Sequence, residues 1–206
     1  MIDGASWSAV WKELGAQSPD AALHRKLIAC WSEKQRHYHT LQHLRECFEH
    51  FDAVRTHARR PGEIAAALWF HDAFYDPERD DNEERSARWL RECATEAGVD
   101  PAVGQRLHDM VMATVDHSPQ TDGDFQLLVD IDLSILGAAR GRFDESNEQI
   151  RREYAHVPEP EWRVARKRVL RGFLDRPRLY GSDRFHSMLE QQARANLQHA
   201  LDGLDG

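Results

Sequence analysis

Pro61-Gly62-Glu63-Ile64-Ala65-Ala66-Ala67-Leu68-Trp69-Phe70-His71-Asp72 opens with proline at a first helical position and runs on through Ile64, Ala65, Leu68 and Trp69. Proline there gives up an N–H that a helix leaves unpaired anyway, and apolar residues three and four apart line one face. The stretch predicts a buried helix ending near Ala73. The same spacing recurs on both sides. Ser18-Pro19 offers an N-cap before Ala22, Leu23, Leu27, Ile28 and Trp31, a stripe expected to end near Glu33, and a helix from about Thr40 turns Leu44, Phe48, Phe51 and Val54 inward. The alternation of a half-buried strand is almost absent, so the chain reads as all-α.

Downstream, Asp80, Asp81 and Asn82 supply capping oxygens ahead of Glu83-Glu84, and Gly98 stops that helix near Ala97. Asp100-Pro101 starts the next, with Val103, Leu107, Met110, Val111 and Thr114 on its stripe before the turn-rich stretch from Ser118 to Asp124. Helices are expected at about 124–138, 143–156, 160–175 and 183–202, divided by Gly141, by Pro158 and Pro160, and by Pro177 to Gly181. No repeat, linker or low-complexity run interrupts the 206 residues, so the expectation is one compact bundle of eight to ten helices over 1–206. Its chemistry would lie within 36–137, with the helices of 143–202 packed on it.

Composition narrows the function. With 27 Lys and Arg against 35 Asp and Glu, the net charge of −8 argues against a duplex nucleic-acid partner. The longest apolar runs are far short of the roughly 20 residues of a membrane span, and Met1 to Trp7 lacks the basic and apolar regions of a signal peptide. No membrane partner and a cytoplasmic location are therefore expected. Cys30, Cys47 and Cys93 have no Cys-x-x-Cys spacing and read as small core residues.

Twelve histidines are a high number for a chain without a His tract. His71-Asp72 follows directly on an apolar run, which places two ligating side chains at the inner end of a buried helix. Left unpaired there, a charged group costs several kcal/mol, and a cation satisfies an imidazole and a carboxylate together. A capping pair at a helix end would explain the same two residues. Asp130 and Asp132 interrupt the apolar run Leu127-Leu128-Val129-x-Ile131-x-Leu133, and since residues two apart on a helix point about 200° apart, only one can face fully inward. His39 and His43 have the i, i+4 spacing that clamps one ion if both lie on a helix. His50 and His57 continue from His43 along a seven-residue face and read as boundary residues.

The order of His43, then His71-Asp72 about thirty residues on, then Asp132 about sixty further, resembles the HD superfamily of metal-dependent phosphohydrolases over roughly 36–137. The match rests on His43-Leu44, Leu68-Trp69-Phe70-His71-Asp72 and Asp132-Leu133-Ser134-Ile135-Leu136-Gly137, with Asp132 fitting better than Asp130. Arg36-His37-Tyr38-His39, His71 to Pro77, Asn82 to Ala87 and Arg152 to Pro158 are similar to a group of small bacterial predicted HD hydrolases, over nearly the whole chain.

The resemblance implies an all-helical domain in which His43, His71, Asp72 and Asp132 hold a divalent ion. Two imidazoles and two carboxylates suit Mn, Fe, Co, Ni or Mg, and Zn as well. The implied reaction is hydrolysis of a small phosphorylated molecule or nucleotide by metal-activated water. Asp76, or else Glu83, would handle the proton. Where the family places an acid three or four residues after the dyad, this chain has Tyr75 and Asp76. His117 lies where two-metal members add histidines, while Arg36, His39 and Asp130 are candidates to support the ligands or the substrate. Arg79, Arg85 and Arg151-Arg152 are further candidates to hold phosphate. Two other readings remain: a non-catalytic metal- or ligand-binding module, and a di-iron oxygenase drawing on His108 and His117.

Overall fold

The computed structural model describes residues 3–16 and 21–205. Among these residues there is no strand, and ten α-helices follow one another: α1 (Gly4–Glu13), α2 (Ala21–Cys30), α3 (Leu41–Val54), α4 (Pro61–Phe70), α5 (Asn82–Glu96), α6 (Pro101–Met112), α7 (Gly123–Asp132), α8 (Arg140–Glu153), α9 (Glu159–Leu174) and α10 (Asp183–Asp205). The all-α expectation and its helix count hold. Among the described residues no helix is long and apolar enough to cross a membrane. Backbone contacts gather the chain into two compact units, Met1–Ile131 and Asp132–Gly206, with the boundary in the last turn of α7.

The first unit is built around α4. Every residue from Gly62 to Phe70 is buried, so this helix is enclosed rather than amphipathic, and α1, α3, α5 and α6 pack on it. Trp69 meets Trp7 edge-on at 5.4 Å and Phe48 at 5.5 Å, while its carbonyl accepts the Trp31 indole N–H at 3.0 Å. Glu63, a buried acid in this helix, takes two hydrogen bonds from Arg106 of α6 at 2.6 and 3.0 Å, so its charge is paired where water is excluded.

Helix boundaries depart from the sequence expectations in ways the local bonding explains. The stripe read from Ser18 onward omits α1, whose signal is a box with Ser6 in place of the usual acid. The Asp3 carboxylate accepts the Ala5 and Ser6 N–H groups, and Ser6 Oγ accepts the Asp3 N–H. Ser18-Pro19, the expected start of α2, lies outside the described residues. That helix ends at Cys30 rather than Glu33, just before buried Trp31 directs its indole to α4.

The segment leading into α4 is held by acids from the start of α7. Asp124 accepts the backbone N–H groups of Arg59 and Arg60 and the Arg60 Nε–H at 2.9–3.1 Å, and Asp122 pairs with both guanidinium groups at 2.8 Å. Burial alone would raise the Asp122 carboxyl, yet the hydrogen bonds from Arg60, the Asp124 N–H and Arg59 bring it down to about 2 from an ordinary 3.8. A carboxyl with a depressed folded-state value stabilises the fold above its ordinary range and loses that contribution as pH falls toward the folded value. The melting temperature should therefore decline as pH drops from about 4 toward 2, and Asp122→Asn should flatten that decline. Parallel acid melting curves for the two proteins would show that the latch contributes nothing.

The second unit opens with a 3-10 turn, Leu133–Gly137, which replaces the rest of the helix expected to run to 138. Its carbonyls are claimed by side chains. Tyr180 OH donates to Leu133 O at 3.1 Å, and Asn196 of α10 donates to Leu136 O and Ala138 O at 2.8 Å each. The Glu190 carboxylate accepts the Leu179 and Tyr180 N–H groups at 3.1–3.2 Å, fixing the segment before α10. Gly141, read as a divider, sits inside the first turn of α8, where its missing side chain faces open space. That helix ends at Glu153, and Arg151 satisfies the Tyr154 and Val157 carbonyls beyond it.

Gly137 is needed for a different reason. A Cβ added there would come within 2.6 Å of Leu189 Cβ and 3.0 Å of both Leu189 O and Tyr180 OH. Gly137→Ala should destabilise the protein by about 1–3 kcal/mol, the usual cost of overpacking, read as a lower melting temperature. Gly141→Ala is the control and should not lower it; equal melting of the two variants would refute the steric argument.

Candidate metal centre

Helix α4 delivers His71 as its C-cap residue. The His71 N–H bonds to Ala67 O at 2.8 Å, and its Nδ1 lies 2.9 Å from Leu68 O. A carbonyl can only accept, so Nδ1 carries a proton, and in the neutral ring the lone pair is on Nε2. That lone pair faces His43. Thr40 caps α3 by accepting the Gln42 N–H at 3.3 Å, which sets His43 in the first turn. His43 Nε2 lies 3.2 Å from His71 Nε2, and Asp72 Oδ2 lies 3.1 Å from His71 Nε2 and 3.8 Å from His43 Nε2. Both rings are buried, whereas the Asp72 side chain is 13% exposed, so solvent reaches the pair on the carboxylate side.

Two lone pairs at 3.2 Å repel unless a proton or a cation lies between them. Nitrogens each about 2.0–2.1 Å from one ion stand roughly 3 Å apart, so the spacing fits shared coordination. Tyr38 OH, 3.2 Å from His43 Nδ1, can accept a hydrogen bond from the Nδ1–H, the tautomer that keeps the lone pair of the neutral ring on Nε2. Asp132, placed by the last turn of α7, belongs to a wider group: one ligand atom each from His43, Cys47, His71 and Asp132, all within 4.8 Å of one another. These residues could hold a divalent ion.

Of the two acids in the last turn of α7, Asp130 is the one wholly inside, where it accepts a hydrogen bond from Gln126 at 2.8 Å. Half-buried Asp132 is the one at the cluster, in keeping with their opposed directions on the helix. His39 does not form the helical clamp with His43, because α3 starts only at Leu41. Its ring stacks on Tyr75 at 3.9 Å and lies 6.1 Å from the His43 ring.

The two proton-transfer candidates separate. Helix α4 stops at Phe70, so Asp76 is not carried one turn beyond Asp72. It is exposed, and its carboxylate accepts the Glu78 N–H at 3.0 Å. The loop is turned toward α5 by Asn82, which accepts the Asp76 N–H at 3.1 Å and donates to Asp76 O at 2.8 Å, and by Ser86 Oγ, which accepts the Phe74 N–H. Asn82 and the acids before it are thus not side-chain caps of α5: the Asp81 carboxylate pairs with Arg79 instead. Glu83, in the first turn of α5, is half-buried. Burial pushes its carboxyl up and the Asp72 charge adds to this, against its own backbone N–H and the fields of His117 and His39. His117 is half-buried with φ of 51°, a left-handed backbone uncommon outside glycine.

Arg36 is a strap across the site. Only 4% exposed, it donates to Asp72 O at 2.6 Å, Ala73 O at 2.9 Å, His39 O at 3.2 Å and Glu33 at 2.9 Å. It therefore joins the segment ahead of α3 to the backbone after His71. Arg85 lies over the Phe74 ring at 4.6 Å, and Arg151 and Arg152 line a cavity of about 480 Å³ within the second unit. From sequence alone Cys47 reads as core filler, and the strap has no local signature. His43-x-x-x-Cys47, with both residues on one face of α3, was the available signal for the first. Comparison of the chain with protein-family profiles, with curated proteins and with solved structures found no match.

Proposed function

We propose that the chain is a metal-dependent phosphohydrolase acting on a small phosphorylated molecule or nucleotide. The observation that carries this reading is the pair of imidazole nitrogens 3.2 Å apart, with Leu68 O against the far nitrogen of one ring and the Asp72 carboxylate against the pair. His43, His71, Asp72 and Asp132 are the residues to hold the ion, and Arg36 positions the first and third by fixing the backbone around them. A bound divalent ion would polarise a phosphoryl oxygen and make water a nucleophile near neutral pH. Glu83, whose burial favours the protonated acid, is the group to hand a proton to the leaving oxygen.

Elemental analysis of the purified protein, followed by a phosphatase and nucleotide screen with each divalent ion, tests the proposal. Stoichiometric metal and hydrolysis that stops with chelator are expected. A protein that binds no divalent ion, or one whose hydrolysis ignores chelator, would refute it. Iron with a paired-iron absorption signature and no hydrolysis would move the site to oxygen chemistry.

A further inference from the structure

We infer that Cys47 is a thiolate ligand of the same centre and makes it select Zn²⁺ or Co²⁺ over Mg²⁺ and Mn²⁺; the inference rests on the metal reading above. Cys47 lies one turn after His43 on α3, is 1% exposed, and places Sγ 3.7 Å from His43 Nε2. Around an ion about 2.0 Å from nitrogen and 2.3 Å from sulfur, ligand angles of about 90–110° put those two atoms roughly 3.0–3.5 Å apart. Sγ also forms one compact group with ligand atoms of His43, His71 and Asp132.

Trans-opposed ligands about 2.1 Å from an ion lie roughly 4.2 Å apart, so the widest separation of 4.8 Å closes by roughly 0.6 Å on loading. A sulfur added to the two imidazoles and two carboxylates read from the sequence makes a softer set. Thiolate favours zinc and cobalt, whereas magnesium and manganese prefer oxygen. Asp72, whose Oδ2 lies 3.1 Å from His71 Nε2, stays in the ligand set on its solvent side.

The test is Co²⁺ titration of the full chain after chelation, followed by absorption, because a cobalt–thiolate bond adds a charge-transfer band in the near ultraviolet that oxygen and nitrogen ligands do not. The band is expected in the parent protein and in a Cys30→Ser, Cys93→Ser double variant, where Cys47 is the one remaining thiol. Cys47→Ser and Cys47→Ala should abolish it. They should also weaken Co²⁺ binding at least ~10-fold, the loss that even an outer partner of a ligand brings, and narrow the preference for Zn²⁺ over Mn²⁺. Cobalt bound without the band in the double variant overturns the inference while leaving the hydrolase proposal intact, and this outcome can be read even if the Cys47 variants fail to fold. A protein that binds no cobalt overturns both.

Discussion

Asp72→Ala is expected to abolish divalent-dependent hydrolysis while leaving the helices in place. The Asp72 carboxylate touches both imidazoles, and the backbone carbonyl that Arg36 grips survives the substitution. Its side chain lies at the solvent side of the site, so alanine opens no cavity in the core around α4. Polarisation of a phosphoryl oxygen by an ion supplies several kcal/mol, and each 1.36 kcal/mol is tenfold, so turnover should fall by on the order of 10³-fold or more. Bound metal should fall with it. Circular dichroism and thermal melting close to those of the parent check the second half of the expectation. Full turnover by a metal-free Asp72→Ala protein would show that the ion is not the catalyst.

The second large effect is predicted for Glu83→Gln. A positioned acid contributes about 10²- to 10⁴-fold to a reaction whose leaving oxygen needs a proton, and glutamine keeps the shape while removing that proton. Metal content should not change, because Glu83 is not one of the proposed ligands His43, Cys47, His71, Asp72 and Asp132. Asp76→Asn should leave turnover near the parent value, since the Asp76 carboxylate is exposed and already accepts the Glu78 N–H. Loss of turnover with Asp76→Asn and none with Glu83→Gln would reverse the assignment. Wide differences in leaving-group basicity among substrates sharpen the test, because the Glu83→Gln defect should shrink as the leaving group needs its proton less.

How far the site was legible differs from residue to residue. His71-Asp72 could be read because both residues follow directly on the apolar run that buries α4, so one helix sets their depth. His43 was marked as a ligand by its i, i+4 spacing from His39, a clamp that α3 does not form because it starts at Leu41, and by the family resemblance. The preference for Asp132 over Asp130 came from that resemblance, and helix phase said only that the two must face apart. Asp76 was placed ahead of Glu83 on the expectation of one more helical turn, but the positions of both depend on where the chain goes after α4 stops. Two side chains from α5, Asn82 and Ser86, decide that course by bonding the backbone of residues 74 and 76. Arg36 was expected to serve the site, but its use as a strap depends on carbonyls 36 and 37 residues away.

Helical periodicity is a local property, set by bonds that span four residues, so the sequence by itself determined the all-α class, most helices and the faces they bury. Separations between side chains on different helices have no such local code. His43 and His71 are 28 residues apart and meet at 3.2 Å only through the packing of α3 on α4. Cys47 joins them because that packing turns the face of α3 bearing both residues toward the end of α4. A slide or rotation of one helix by a few ångströms would preserve every sequence pattern and separate these atoms, so tertiary structure alone decided which donors meet.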